Sequence, residues 1–159
     1  RTDKPRRGTL WTDLDGDGRT DLVVADPGSG QLMVWRQRPD GSLSEPRSFP
    51  SLTGVSDLAA ADWNEDGRRE LFLLSSDEKQ VGIASLDAGG RLPFPELVPL
   101  TGRPLALSVG VVDPGGKSVL AVIQERDDKR PGKDGKDETV TVREGFAVRS
   151  SGRASPRLT

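Results

Sequence analysis

Apolar residues in this chain follow the short period of strands. Two continuous runs, Leu22-Val23-Val24-Ala25 and Leu71-Phe72-Leu73-Leu74, are each bounded by polar, turn-forming residues, as short buried strands are. An alternating segment follows each run: Gln31–Arg36 alternates around Leu32 and Val34, and Gln80–Leu86 around Val81 and Ile83. Alternation places every second side chain on one face of a sheet. Asp26-Pro27-Gly28-Ser29-Gly30 and Arg38-Pro39-Asp40-Gly41 have the composition of turns. No window longer than about ten residues carries a helical stripe, so the chain reads as all-β. Strands are predicted at Gly8–Thr12, Asp21–Ala25, Gln31–Arg36 and Leu43–Phe49, then at Val55–Ala61, Glu70–Ser75, Gln80–Leu86 and Leu92–Val98. Pro46, which donates no backbone hydrogen bond, suits an unpaired edge.

The pattern is a repeat. Asp13 and Asp62, Gly18 and Gly67, Asp21 and Glu70, and Leu22 and Leu71 are each 49 residues apart. So are Gln31 and Gln80, Val34 and Ile83, Gly41 and Gly90, and Pro50 and Pro99. A third copy follows at the same offset of 49, pairing Leu58 with Leu107, Gly67 with Gly116 and Leu71 with Leu120. Repeats of about 40–50 residues have the length of one four-stranded propeller blade. The expected fold is a partial β-propeller of three four-stranded antiparallel blades. Residues 1–7 are a leader or linker, 8–54 blade 1, 55–103 blade 2, and 104–159 a degenerate blade 3. Leu120 to Val140 spans 20 residues where Leu22 to Leu32 spans 10, which implies about ten inserted residues. The insert, residues 126–138, carries five charges of each sign and reads as a solvated hairpin tip. After it, Thr139–Arg143 and Phe146–Arg149 read as two arms of a hairpin about Glu144-Gly145. Propellers close with about four to eight blades. The three copies therefore imply further blades, supplied by a longer chain or by a homo-oligomer.

The segment before each continuous run carries the candidate chemistry. Asp13-Leu14-Asp15-Gly16-Asp17-Gly18-Arg19-Thr20-Asp21 sets oxygen-bearing side chains at loop positions 1, 3, 5 and 9, with glycines at 4 and 6. Carboxylates folded this close repel by several kcal/mol per pair near a protein surface, and a hard divalent cation reverses that. Calcium accepts six to eight oxygens at about 2.3–2.6 Å, and the Arg19 carbonyl at position 7 adds one more. The second loop offers Asp62, Asn64, Asp66 and Glu70, with Arg68 at position 7. Its Asn64 replaces one carboxylate, so the first loop is expected to bind more tightly. In the third copy Val111-Val112-Asp113-Pro114-Gly115-Gly116 retains only Asp113. An EF-hand loop needs an acidic residue at position 12, where this chain has Val24 and Leu73 inside strands.

In these residues the chain resembles the FG-GAP/VCBS repeat family, whose blades also build the head of integrin alpha subunits. The D-x-[DN]-x-D-G-x-x-[DE] loop ahead of an apolar strand occurs twice, and the resemblance covers about residues 8–123. It implies a calcium-binding propeller used for adhesion or ligand binding in exported or surface proteins. It also implies one metal site at Asp13, Asp15, Asp17 and Asp21, and another at Asp62, Asn64, Asp66 and Glu70. The chain departs from the family in lacking the phenylalanine–glycine pair before the first loop. Ala25-Asp26-Pro27 and Ser75-Ser76-Asp77 stand where the family has its small-Ala-Pro turn.

Composition narrows the function. A net charge of −2 offers no field for nucleic acid or anionic membrane. No apolar run approaches the roughly 18 residues of a membrane span. With no His, Cys or Tyr, a His-based triad, a thiolate nucleophile, a zinc deaminase site and a tyrosine acid are excluded. Paired carboxylates running a glycosidase are not. The expected role is thus a non-enzymatic, calcium-stabilised scaffold or recognition segment of a larger exported protein, placed extracellularly, in the periplasm or at the cell surface. The alternative is the propeller portion of a carbohydrate-active enzyme, a polysaccharide lyase or hydrolase, with its catalytic residues elsewhere. The start at Arg1, without Met, suits an excised internal segment. Trp11, Trp35 and Trp63 are candidates for stacking on a carbohydrate ligand, and a protein ligand is equally open. Packing roles are expected first: Trp11 between blades, Trp35 at a sheet edge, Trp63 beneath its loop.

Overall fold

The computed structural model describes residues 8–26, 28–112, 116–131 and 136–149. Its regular structure there is entirely strand: β1 (Thr9–Thr12), β2 (Asp21–Asp26), β3 (Gln31–Trp35), β4 (Arg47–Pro50), β5 (Val55–Ala61), β6 (Glu70–Ser75), β7 (Gln80–Ala84), β8 (Glu96–Leu97), β9 (Arg103–Val111), β10 (Ser118–Pro131) and β11 (Asp137–Arg149). They form three antiparallel sheets in chain order, β1-β2-β3-β4, β5-β6-β7-β8 and β9-β10-β11. The 49-residue repeat reappears as register. Trp11 pairs with Leu22, Ala60 with Leu71 and Val109 with Leu120, while Thr12↔Asp21 and Ala61↔Glu70 close the two loops identically.

The sheets stack face to face, β5 against β1 and β2, and β9 against β5, β6 and β7. This explains the continuous apolar run in β6. Its odd positions, Leu71 and Leu73, enter a core with Val23, Ala25, Leu32 and Val34 of the first sheet. Its even positions, Phe72 and Leu74, enter a second core with Leu107, Leu120 and Val122 of the third. All six residues of β6 are buried. Each large apolar side chain so buried contributes about 1.5–3 kcal/mol. In β2 burial alternates instead, with Val23 and Ala25 covered and Leu22 and Val24 half-exposed, because only one face of that sheet meets a neighbour.

Trp63 packs beneath its loop, 3% exposed and edge-on to Phe72 with ring centroids 5.3 Å apart. Trp35 is half-buried at the end of β3. Trp11 departs from expectation. Its counterparts Ala60 and Val109 pack between sheets, but Trp11 lies on the outer face of the first sheet and is 58% exposed.

Several expectations need correction. The third sheet has three described strands rather than four. The charged insert is largely strand: β10 runs through to Pro131 and β11 starts at Asp137, with residues 132–135 outside the described part. Thr139–Arg143 and Phe146–Arg149 belong to one continuous strand, and Gly145 sits opposite Ile123 instead of in a turn. Leu22 reaches its β3 partner Trp35 in 13 residues and Leu120 its β11 partner Val148 in 28, so the insertion is 15 residues rather than ten. Thr139-Val140-Thr141-Val142 has strong strand propensity. The long ribbon is further tied by Thr141 Oγ1 donating to Asp127 at 2.9 Å and by the Arg126–Glu144 ion pair at 3.1 Å. The outer strands of the first two sheets are shorter than predicted, since Pro46, Pro93 and Pro95 cannot donate to a ladder. Residues 1–7, Asp113 and the turn at Pro27 lie outside the described residues.

Candidate metal centre

Both acidic loops link the first two strands of their sheets, and each is organised by its first aspartate. In the first loop Asp13 accepts hydrogen bonds from the backbone N–H groups of Gly16 (2.9 Å), Asp17 (3.1 Å) and Gly18 (2.9 Å). In the second, Asp62 accepts from Asp66 (3.1 Å) and Gly67 (3.0 Å). Position 3 accepts from the N–H at position 5 in both loops, Asp15 from Asp17 at 3.3 Å and Asn64 from Asp66 at 2.9 Å. Position 5 accepts from position 7, Asp17 from Arg19 and Asp66 from Arg68, both at 2.8 Å. Position 9 accepts from position 2, Asp21 from Leu14 at 3.3 Å and Glu70 from Trp63 at 2.7 Å. The chain turns this tightly because the backbone goes left-handed at Gly16 and Gly18 (φ 77° and 84°), where glycine carries no steric cost. The loops also touch: a Cβ built on Gly16 would lie 2.7 Å from the Gly67 carbonyl oxygen.

The carboxylates at position 9 are the most buried polar groups of the loops, Asp21 at 0% and Glu70 at 2% exposure. Burial pushes both above the usual carboxylate range, against the pull of their backbone hydrogen bonds. For Asp21 those bonds come from Gln37 and Leu14, with the nearby Arg36 guanidinium also favouring the charged form. A cation placed at either carboxylate would offset the desolvation.

The two loops differ in what converges. Oxygens of Asp13, Asp15 and Asp21 lie within 4.8 Å of one another. That is the spread of donors around a cation with ligand distances of about 2.3–2.6 Å, so the residues present fit calcium. Asp17 is not in this trio, and its carboxylate pairs with the Arg19 side chain. Among the described residues no acidic trio converges in the second loop. There the Asn64 amide donates to Glu70 at 3.1 Å and to Asp66 at 3.2 Å, bridging them as a neutral group.

Two residues of this neighbourhood were not foreseen from the sequence. Arg36, at the end of β3, forms ion pairs with Asp15 and, at 3.5 Å, with Asp21. Gln37 donates its N–H to Asp21 at 2.9 Å and accepts from Arg19 Nε at its carbonyl and from the Thr20 N–H at its side chain. The available signal was a break in the repeat, because the position 49 residues after Arg36 is Ser85. The second loop is supported from the next sheet, where Ser118 Oγ donates to the Asp62 carbonyl at 2.9 Å.

No curated protein matches the chain. Residues 13–73 match the family described as FG-GAP-like repeat, a span that runs from the first aspartate of the first loop into β6. That segment, which holds both acidic loops, is thus similar to an FG-GAP-like repeat.

Proposed function

We propose that the chain is a calcium-supported scaffold and recognition segment of propeller type. The reading rests on the convergence of Asp13, Asp15 and Asp21 at the end of a repeated sheet, within the stretch that matches the FG-GAP-like repeat. Asp13 organises the loop backbone, Asp15 and Asp21 supply further oxygens, and Asp17 and the Arg19 carbonyl complete the set. Calcium would supply the positive charge that holds these carboxylates together and ties β1 to β2. A weaker second site is assigned to Asp62, Asn64, Asp66, the Arg68 carbonyl and Glu70. The role is binding and support rather than catalysis, because the acidic side chains are committed to ordering their own loops. An extracellular, periplasmic or surface setting fits, since extracellular calcium modules work at about millimolar affinity, and the ligand class is carbohydrate or protein.

Calorimetric titration with calcium tests this reading. The chain should show two sites, the tighter one lost in Asp15→Ala and the weaker one in Asp66→Ala. Heat signals unchanged in both variants would refute the ligand assignment.

A further inference from the structure

Among the described residues two buried side-chain oxygens have no hydrogen-bond partner, Thr12 Oγ1 and Ser51 Oγ. Both residues are more than nine-tenths covered, Thr12 at 7% exposure and Ser51 at 6%. An unpaired buried hydroxyl is costly, and in a native protein it marks a place where a further group supplies the partner. Ser51 follows β4, whose Pro50 pairs with Gln31 at the end of the sheet away from the acidic loop. Thr12 stands at the loop itself, directly before Asp13. It ends β1 and pairs across the strands with Asp21, the fully buried carboxylate of the candidate site.

Cross-strand partners project to one face with Cβ atoms about 4.5–5.5 Å apart, a gap that rotation about their Cα–Cβ bonds closes to hydrogen-bond length. The face is the one on which Leu10 and Val23 pack against the second sheet. Asp21 has capacity for a further donor. Its Oδ1 accepts from the Gln37 N–H at 2.9 Å, and its Oδ2 from the Leu14 N–H at 3.3 Å beside the Arg36 guanidinium at 3.5 Å. An ionised carboxylate offers about four lone-pair sites. The second repeat shows the alternative. Its Ala61 and Glu70, 49 residues on, pair in the same register. There the position-9 carboxylate faces a methyl group and takes a side-chain donor from inside the loop, the Asn64 amide at 3.1 Å. The first loop has Asp15 at that place, which as a carboxylate donates nothing, and it has Thr12 in place of Ala61.

We propose that Thr12 is a further residue of the first cation site, a positioning residue whose hydroxyl donates to the Asp21 carboxylate when calcium occupies the loop. In the metal-free fold Arg36 pairs with both Asp15 and Asp21. With a cation shared by Asp13, Asp15 and Asp21 in place of that guanidinium, the hydroxyl is the neutral donor left beside Asp21 on its buried side. It fixes which way the carboxylate faces, as outer-shell donors do for ligating carboxylates. The second loop, with Ala61, has no such donor in its first strand. The inference rests on the calcium reading of the first loop.

Titration calorimetry with calcium and thermal unfolding in chelator, both on the 159-residue chain, test it. Thr12→Val keeps the shape of the side chain without its hydroxyl. It should weaken the tighter site by about tenfold and leave the weaker site unchanged. In chelator its unfolding midpoint should be no lower than the parent's, since an orphaned buried hydroxyl adds no stability there. Thr12→Ser shows the opposite pattern: it gives up a buried methyl, so its midpoint in chelator should fall, while its calcium affinity stays with the parent's. A Thr12→Val protein that binds calcium as tightly as the parent overturns the proposal. So does one whose midpoint falls in chelator, or a Thr12→Ser protein that binds as weakly as Thr12→Val. A parent that takes up no calcium overturns the calcium reading and this proposal together, whereas the other adverse outcomes leave the calcium reading standing.

Discussion

Replacing Arg36 by Met should weaken the metal-free protein and tighten its grip on calcium. The guanidinium stands 3.5 Å from a carboxylate oxygen of Asp21, whose side chain is 1% exposed, and pairs also with Asp15. Unit charges about 4 Å apart attract by about 4 kcal/mol at an effective dielectric of 20. The Arg36 side chain is itself 25% exposed, so solvent screening and the recovered freedom of a long side chain reduce the net loss to about 1.5 kcal/mol. For a chain of this size that lowers the midpoint of thermal unfolding in chelator by about 3–6 °C. The same contact must be surrendered when a cation takes Asp15 and Asp21, so its prior removal should improve calcium affinity by about tenfold, the equivalent of 1.4 kcal/mol. Scanning calorimetry in chelator and titration calorimetry with calcium read the two effects separately. Met keeps the aliphatic length of the side chain, which limits any change in packing. An affinity that falls or stays constant in Arg36→Met would show that the guanidinium does not compete for the metal position, and an unchanged midpoint in chelator would show that the pair carries no net stability.

Calcium at a hundredfold excess over its dissociation constant should stabilise the chain by about 2.7 kcal/mol; hydrogen exchange in chelator should accelerate in the β1–β2 and β5–β6 hairpins before β9–β10. Phe72→Ala removes a fully buried ring that meets Trp63 edge-on, and chemical denaturation should record a loss of about 3–5 kcal/mol. The Glu125 carboxyl is held below its usual 4.5 first by a hydrogen bond from Arg103, then by the charges of Arg103 and Arg143. A lowered folded value means that its stabilisation is present above pH 4.5 and is lost as pH falls through the folded value. Carboxyl resonances followed by NMR should titrate below 4.5 in the parent and move back toward it in Arg103→Gln.

The strands were most legible where repeat and periodicity agreed. Val55–Ala61 and Glu70–Ser75 match β5 and β6 residue for residue, since an apolar run between turn residues leaves little room for a different register. Legibility failed after Ile123, where the insertion breaks the offset of 49 and Glu144-Gly145 carries turn composition inside a strand. Pairing decided there: the buried Gln124 (3% exposed) donates from Nε2 to Glu144 at 3.0 Å and to Thr101 at 2.6 Å, anchoring the base of the ribbon. At the candidate metal centre, spacing located the loop but not all of its contacts. Asp15 and Arg36 are 21 residues apart and meet only because β3 returns beside β2. Asp17 was assigned with its neighbours by position, whereas its carboxylate is engaged by Arg19, two residues on.

The five hydrogen bonds shared by the two loops suggest interchangeable cassettes, and the contact at Gly16 shows that they are not. The residue 49 positions after Gly16 is Glu65, which adopts the same left-handed backbone with φ 63°. Transplanting the second loop into the first would set a Cβ and a carboxylate where the Gly67 carbonyl already stands, 2.7 Å from that Cβ. Each loop is therefore fitted to the repeat that follows it as well as to its own turn, and the order of the repeats along the chain is written into the backbone at their junctions.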